Sequence, residues 1–465
     1  MSGFSGRTIA IIGAAATGRA AAPVLARRGA RVVVYDAKSK AELGDAVTCL
    51  RTAGIDLHLG DPDYPGIEAA DLVIPSPGVR ADAPVLLAAR ARGVPVLSEI
   101  EIAYRLSRAP IIGITGTNGK TTTVLMTAAA LRQAGFDVLV AGNTLAGGFQ
   151  VPLIQAADQA RPEQWLVAEI SSFQLEWVQC FAPRVAVITN ITQDHLDRHG
   201  TPETYVAAKA RLLDAQGPDD WAVLNADNAT TAALAPQVRS RRLWFTRSHV
   251  PDQGGWVERR IPTLSGWLRL CVAGEVEDLM PASALRMPGE HTVENALAAA
   301  CAARAAGAPA AAIARALAAF SGVPDRLEYV ATLRGVDYVN NSMCTNVDAA
   351  VRSIRAYDRP LIVIAGGRDK GSDFAPLGEA LAERARALVT IGEHGGRIAA
   401  AARAAGLIQI ESARSMEEAV RTAAALAWPG DVVLLAPGCA SFDWFRGFEH
   451  RGQAFREAVA ALAQG

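Results

Sequence analysis

The feature that most constrains this chain is a recurring unit: a short apolar run, a glycine turn, a helical stretch, then another apolar run. Residues 8–12 (TIAII) read as a buried strand, 20–28 as a helix stopped by Gly29, and 31–35 (RVVVY) as the next strand. The alternation repeats at 71–74, 84–92 and 94–97. It restarts with a strand at 111–114, a glycine loop and a helix over 120–134, followed by strands at 165–170, 185–189 and 221–224 and an alanine-rich helix over 293–306. After a turn-rich break at 321–325 it appears a third time, with strands at 338–339, 361–365, 387–390 and 431–435 and a helix from Asp348. Strands alternating with helices predict parallel sheets covered on both faces. A weaker pattern over 244–276 predicts a small antiparallel patch. At roughly 150 residues per domain, 465 residues suggest three α/β domains.

Composition narrows the function. Lys and Arg number 46 against 47 Asp and Glu, a net charge of -1. That balance argues against a dedicated nucleic-acid or anionic-membrane binder. The six cysteines are scattered, with no C-x-x-C pair, which suits buried thiols in a reducing compartment. The first residues lack a basic patch followed by an apolar core, and the apolar stretch 308–320 is short and broken by Arg315. A cytoplasmic protein without membrane insertion is expected.

Six strand ends carry the chemistry. Ile114-Thr-Gly-Thr-Asn-Gly-Lys-Thr121 lies between a strand and a helix. Glycines there let backbone N–H groups turn toward phosphate oxygens, Lys120 supplies charge and the Thr121 hydroxyl suits Mg²⁺. The strict pattern has glycine where this chain has Ile114, so the loop is a variant. Glu169 ends a strand as a natural metal carboxylate, and His195 and Asp197 lie in a loop after another. Two histidines and two carboxylates in that loop also admit zinc, but no cysteine and no H-E-x-x-H helix supports it. Lys209, in a helical stretch over 205–213, reads by itself as a solvated lysine. Gly13-Ala-Ala-Ala-Thr-Gly18, with Asp36 ending the next strand, has the layout of a dinucleotide fingerprint, but Ala15 replaces the middle glycine. Either a tight βα turn or a site for a nucleotide-bearing substrate fits it. Gly366-Gly-Arg-Asp-Lys-Gly371 and Pro437-Gly-Cys-Ala-Ser441 also follow strands, where ligands of open α/β sheets gather. Lys370 suits an acidic substrate, and Ser441 could donate to a carboxylate.

In order, T-G-T-N-G-K-T, E-I-S-S-F-Q-L-E, N-I-T-Q-D-H-L-D-R, N-A-D-N, G-E-H-T-V-E-N-A-L, P-D-R-L-E and P-G-C-A-S-F-D-W-F-R-G-F-E-H-R-G span essentially the whole chain. This series resembles the Mur ligases. The resemblance implies a Rossmann-like N-terminal domain for the UDP substrate (1–98), a P-loop ATPase-like central domain with a parallel sheet for ATP (99–322) and a Rossmann-like C-terminal domain for the amino acid (323–465). It implies an ATP-dependent amide ligase that adds D-glutamate to UDP-N-acetylmuramoyl-L-alanine through an acyl phosphate, in peptidoglycan synthesis, acting as a monomer with Mg²⁺.

Carried over by position, Gly116, Thr117, Asn118, Gly119, Lys120 and Thr121 hold ATP phosphates, and Asn295 and Arg326 also contact ATP. Thr121, Glu169, His195 and Lys209 serve the metal, with Lys209 matching a lysine that the family carbamylates; Lys120, His195 and Lys209 are the catalytic set. Thr17, Asp36, Lys38, Ser76 and Asn143 fall where the UDP substrate is expected, and Thr345, Lys370, Ser441 and Phe448 where glutamate is expected. The sequence departs at Asn341-Ser-Met-Cys-Thr-Asn346, where the family usually reads D-S-K-A-T-N. An acid near the ATP ribose becomes Asn341 and a lysine becomes Met343, with Arg368 a candidate substitute for the lost charge. The change leaves open L-glutamate, another nucleotide-sugar acceptor, or a non-catalytic nucleotide-binding relative.

Overall fold

A computed structural model describes residues 4–142, 151–192, 194–258, 266–287, 289–369 and 371–463. Its strands form three sheets. The first contains β1 (Thr8–Ile12), β2 (Arg31–Asp36), β3 (Asp56–Leu59) and β4 (Leu72–Pro75) in the order β3-β2-β1-β4, every pair parallel.

The second sheet has nine strands: β5 (Ile111–Thr115), β6 (Val138–Gly142), β7 (Trp165–Glu169), β8 (Val185–Ile188), β9 (Trp221–Asn225), β10 (Arg241–Thr246), β11 (Gly254–Glu258), β12 (Trp267–Val272) and β13 (Glu275–Pro281). Their order is β13-β12-β11-β10-β9-β8-β5-β7-β6. The expected central parallel sheet therefore carries an antiparallel extension, since β12 runs against both β11 and β13. The third sheet orders β14 (Glu328–Leu333), β15 (Val336–Asn340), β16 (Leu361–Gly366), β17 (Ala385–Ile391), β18 (Ile410–Ser412) and β19 (Val432–Leu435) as β14-β15-β19-β16-β17-β18, with only β14·β15 antiparallel.

The chain divides into two compact units, residues 1–283 with 293–318 and residues 284–292 with 319–465. The first unit holds two of the sheets. The central strands of the nine-stranded sheet are apolar on both faces: β5 (IIGIT) and β8 (VAVI) are buried throughout. A strand covered by helices on both sides has no solvent face to alternate toward.

Each sheet reverses direction once. From β1 the chain winds outward to β2 and β3, then returns to place β4 on the other side of β1. From β5 it builds β6 and β7 on one side and β8 on the other. From β16 it builds β17 and β18, then inserts β19 on the opposite side. Such reversals open a crevice at the carboxyl ends of the strands, where ligands bind. All three glycine-rich turns singled out in the sequence lie at these reversals.

Several expectations are corrected. The strand expected at 94–97 reduces to one bridge, Val73 to Val96. Pro95 has no N–H to give, and only its carbonyl is used, by the Val73 amide. β3, β6, β14 and β18 were not expected. The patch expected over 244–276 is antiparallel from β11 onward, but β10 pairs with β11 in parallel. Among the described residues no helix is long and apolar enough to cross a membrane.

Candidate active site

The phosphate-type loop follows β5 and opens the helix Lys120–Gln133. Gly119 sits at the helix start with φ +80°, and a Cβ there would lie 2.2 Å from Asn295 Oδ1. A side chain is thus excluded both by backbone conformation and by the Asn295 amide. The loop is braced by the segment after β8. The Thr117 amide donates to the Asn190 carbonyl (2.8 Å), the Asn118 amide to Asn190 Oδ1 (3.0 Å), and the Thr189 hydroxyl to the Asn118 carbonyl (2.6 Å). Asn225 and Asn228 brace that segment in turn, Asn225 Nδ2 donating to the Thr189 carbonyl and Asn228 Oδ1 accepting the Ile191 amide. This is what the N-A-D-N motif does locally.

Lys120 folds over the loop, its ammonium donating to the Gly116 (3.1 Å) and Thr117 (2.9 Å) carbonyls. The Thr121 hydroxyl donates to Glu169 Oε2 at 2.7 Å, and Glu169, at the end of β7, is 4% exposed. The two expected metal ligands therefore meet because β5 and β7 are parallel neighbours.

Lys209 overturns the plain reading of its sequence. It is not a solvated helix lysine but is 2% exposed, near the end of the helix Pro202–Ala210. Its ammonium donates to the Gly116 carbonyl (2.8 Å) and lies 4.7 Å from the centre of the Tyr205 ring. Burial, with a smaller contribution from the Lys120 cation, lowers its pKa to about 7, against the pull of Asp194 and Glu169. A large share of this amine is neutral at pH 7.

His195 adopts φ +51° and is about half exposed. Its ring stands edge-on to Phe173, centroids 5.0 Å apart, and to Tyr205 at 6.3 Å. The Tyr205 hydroxyl is 3.1 Å from Thr117 Oγ1, so the histidine loop and the phosphate loop share one aromatic wall. The sequence assigned no role to Asp194, and used Tyr205 only as the Y-x-x-x-K setting of Lys209. The Asp197 side chain lies outside the described residues.

The donor set at this strand edge is a hydroxyl, a carboxylate, an imidazole and a neutral amine. Hard oxygen donors with few protein ligands suit Mg²⁺, which keeps places for phosphate oxygens and water. Thr121 hydrogen-bonded to Glu169 at the start of the helix after the loop fits that ion.

The first sheet offers a different turn. Gly13 has φ +110°, and a Cβ there would meet Ser76 Cβ at 2.7 Å, so the turns after β1 and β4 pack directly together. Asp36 Oδ2 accepts the Ala14 amide (2.8 Å) and Oδ1 the Lys38 amide (2.9 Å). Thr17 and Ser76 line a cleft of about 650 Å³ with Gln174, Trp177 and Arg198. Asp36 and Lys38 do not line it. Asn143 lies outside the described residues.

In the third sheet the Gly366 amide donates to the Pro437 carbonyl (2.9 Å), and Arg368 and Ala440 form an antiparallel bridge. The two loops expected to hold glutamate are thereby joined. Ser441 is buried, Thr345 and Phe448 are half-buried, and Lys370 lies outside the described residues. Asn341 is buried, and its amide is used internally: Oδ1 accepts the Leu327 amide (3.2 Å) and Nδ2 donates to Ser353 Oγ (2.7 Å). Arg368 pairs with Glu393 at 3.0 Å. Arg326 is exposed.

Fold and site together define a nucleotide-dependent α/β enzyme, with a phosphate loop, a carboxylate and a buried amine at one sheet edge. Family models agree in register along the chain: Mur ligase MurD-like N-terminal domain over residues 7–98, Mur ligase middle domain over 114–303, and Mur ligase glutamate ligase domain over 325–439. A UDP-N-acetylmuramoylalanine--D-glutamate ligase from Pelotomaculum thermopropionicum is 43% identical over 464 residues, covering 99% of each chain. One of the same name from Koribacter versatilis is 41% identical over 464 residues, covering 99% of this chain and 98% of that one. Among solved structures, MurC from Thermotoga maritima aligns with a TM-score of 0.53 at 18% identity, covering 98% of this chain and 100% of that one. MurF from Acinetobacter baumannii aligns with a TM-score of 0.56 at 18% identity, covering 98% and 93%. The chain belongs to the Mur ligase family.

Proposed function

We propose that this Mur ligase joins D-glutamate to UDP-N-acetylmuramoyl-L-alanine at the expense of ATP, in the cytoplasmic stage of peptidoglycan synthesis. The observation that carries this reading is the convergence of the Thr121–Glu169 pair, Lys120 and the buried Lys209 on one phosphate loop. Near-full-length identity to ligases of that name supports it.

A carboxylate is a poor acyl donor until one oxygen becomes part of a leaving group. In the proposed reaction the alanine carboxylate oxygen attacks the terminal phosphorus of ATP, and ADP leaves. The glutamate nitrogen then attacks the acyl carbon, and phosphate departs as the amide forms. The protein mainly positions and neutralises charge. Loop residues 116–121, Lys120 among them, would hold phosphates, and Asn295 and Arg326 would contact ATP. Thr121, Glu169, Lys209 and His195 would serve Mg²⁺. Bound there, Mg²⁺ would neutralise charge on the phosphoryl oxygens.

Lys209 serves as a carbamate in this reading. Only a neutral amine attacks CO₂, and an amine with a pKa near 7 is neutral often enough to do so. The new C–N bond costs the amine one proton and leaves a carboxylate-like ligand where a cation stood. Residues 1–98, 99–322 and 323–465 would be the substrate, ATP and amino-acid domains of a monomer. Thr17, Asp36, Lys38, Ser76 and Asn143 would serve the UDP substrate, and Thr345, Lys370, Ser441 and Phe448 would serve glutamate.

The test is an assay with ATP, Mg²⁺, UDP-N-acetylmuramoyl-L-alanine and each glutamate enantiomer, following phosphate release and product mass. Release coupled to product with D-glutamate is expected. Release with L-glutamate alone would overturn the stereochemistry, and no release with either would overturn the ligase reading.

A further inference from the structure

A buried cation is costly unless an anion pairs with it, so one that persists without a carboxylate partner calls for a reason. Arg451 is such a cation. It is 1% exposed and lies in the first turn of the helix Phe448–Leu462, within the E-H-R-G that ends the last motif of the series. Among the described residues its guanidinium donates to neutral groups alone: Nε to Ser342 Oγ (3.0 Å), Nη2 to the Ser342 carbonyl (2.9 Å) and Nη1 to the Cys439 carbonyl (3.1 Å). The carboxylates that act on it electrostatically, Asp325 and Asp443, are bonded elsewhere, Asp325 to Asn340 and Arg456 and Asp443 to the Glu393 amide. The neighbouring thiols do not compensate it either. Burial pushes Cys344 up to about 11 and Cys439 up to about 12, so both are protonated at neutral pH. Burial lowers Arg451 itself to about 10, which leaves it a cation there.

The loops that follow β15, β16 and β19 meet on this guanidinium. Ser342 follows β15 and Cys439 follows β19, and a Cβ on Gly367, just after β16, would stand 3.2 Å from Nη1. The Gly438 amide donates to the Cys344 carbonyl (3.1 Å), a second tie between the first and third of these loops. Ser342 Oγ extends the link by donating to the Phe448 carbonyl (2.7 Å). The helix is set against the loops at the next residue as well. A Cβ on Gly452 would collide with the Asp325 carboxylate, so only glycine allows this approach.

We infer that Arg451 is a positioning residue for the acidic amino acid: it ties the loops carrying Thr345 and Ser441 into one surface and lends that surface a positive charge that no carboxylate neutralises. This rests on the ligase reading above and deepens it. A guanidinium is planar, with donors in fixed directions, so three bonds to two loops set both their spacing and their tilt. Its charge is buried, where solvent and salt screen it least. Arg451 is sealed from solvent, so it acts through the loops and through its field rather than by touching glutamate.

The experiment measures KM for D-glutamate, ATP and UDP-N-acetylmuramoyl-L-alanine with the full chain and with Arg451→Gln, Arg451→Lys and Ser342→Ala. Arg451→Gln keeps a hydrogen-bonding side chain and removes the charge. It should raise KM for D-glutamate about tenfold. KM for the other two substrates should stay within about twofold. Arg451→Lys returns the charge without the planar fork and should recover part of the loss. Ser342→Ala removes the Nε acceptor and the Phe448 link, and should raise KM for D-glutamate severalfold even if Arg451→Gln fails to fold. Combined, the Arg451→Gln and Ser342→Ala effects should multiply to less than their product, since both break one link. Arg386→Gln, which removes a cation paired with Asp431 in the same sheet, is the control and should shift none of the three KM values. A merely structural role would lower thermal stability and the active fraction without singling out glutamate. A rise shared by all three substrates, an unchanged KM for D-glutamate, or a Lys variant no better than Gln overturns the inference while leaving the ligase reading intact. Failure of the unmodified chain to form product overturns the ligase reading itself.

Discussion

The turns after β1 and after β5 begin alike, a buried apolar strand running into a glycine turn and a helix at a sheet reversal. They end in opposite chemistry. After β5 the loop is surrounded by function: Lys120 over its carbonyls, Glu169 on Thr121, and Lys209 beneath Gly116. After β1 the cation on the turn is exposed Arg19, whose guanidinium donates to the Ala15 carbonyl (3.3 Å), and the Ala14 amide is taken by Asp36. The glycine spacing sets the backbone shape in both. What the neighbouring strands bring to the turn decides whether it binds phosphate. A dinucleotide reading of the first turn fails on Ala15, where the fingerprint needs a glycine for close backbone approach.

The largest effect expected from breaking this contrast is at Lys120. Lys120→Ala should lower kcat about 10²–10³-fold, with the fold unchanged by circular dichroism. Next is Lys209. Lys209→Met should abolish turnover yet stabilise the protein, because a buried amine is exchanged for an apolar side chain of similar length. The sign follows from linkage. With a pKa of about 7 folded and 10.5 unfolded, the unfolded chain binds more protons between those values, so wild-type stability rises with pH across that window. The advantage of Met should be full below pH 7, on the order of 5 kcal/mol, and fade toward pH 10. Denaturant midpoints for both proteins at several pH values measure this, and equal pH dependence of the two would contradict it. Lys209→Ala should recover part of its activity with short carboxylic acids if a carbamate is the working group.

On the other side of the comparison, effects should be smaller and fall on binding. Asp36→Ala frees two backbone amides, from Ala14 and Lys38, and should cost about 1–2 kcal/mol of stability. It should raise KM for the UDP substrate severalfold and leave KM for ATP unchanged. Smallest of all is Ala15→Gly. It restores the fingerprint spacing but not a free Ala14 amide, so stability should change by a few tenths of a kcal/mol. Nicotinamide-dinucleotide binding, followed by fluorescence, should remain absent.

Much of this was legible in the sequence. Apolar β-branched runs such as TIAII and LIVIA located β1 and β16, and the parallel architecture followed from their alternation with helices. Thr121 and Glu169 were legible because each ends or follows such a strand. Lys209 was not. Its stretch Y-V-A-A-K-A has no apolar period pointing the lysine inward, and its burial comes from packing under the β5 loop. Only the motif resemblance flagged it. β3 (DLHL) was missed because four residues with charged or polar alternates look like a loop. The Asn341 departure also reads differently in the structure. Its amide closes an internal link between Leu327 and Ser353, so the residue has a structural role wherever the nucleotide lies.

The central claim is that the phosphate loop of the second sheet activates a carboxylate by transferring phosphate to it. The most direct test uses UDP-N-acetylmuramoyl-L-alanine labelled with oxygen-18 in the alanine carboxylate, with ATP, Mg²⁺ and D-glutamate. Mass spectrometry of the released phosphate should find one labelled oxygen per phosphate, carried over when the acyl phosphate collapses. Unlabelled phosphate accompanying amide formation would contradict the account.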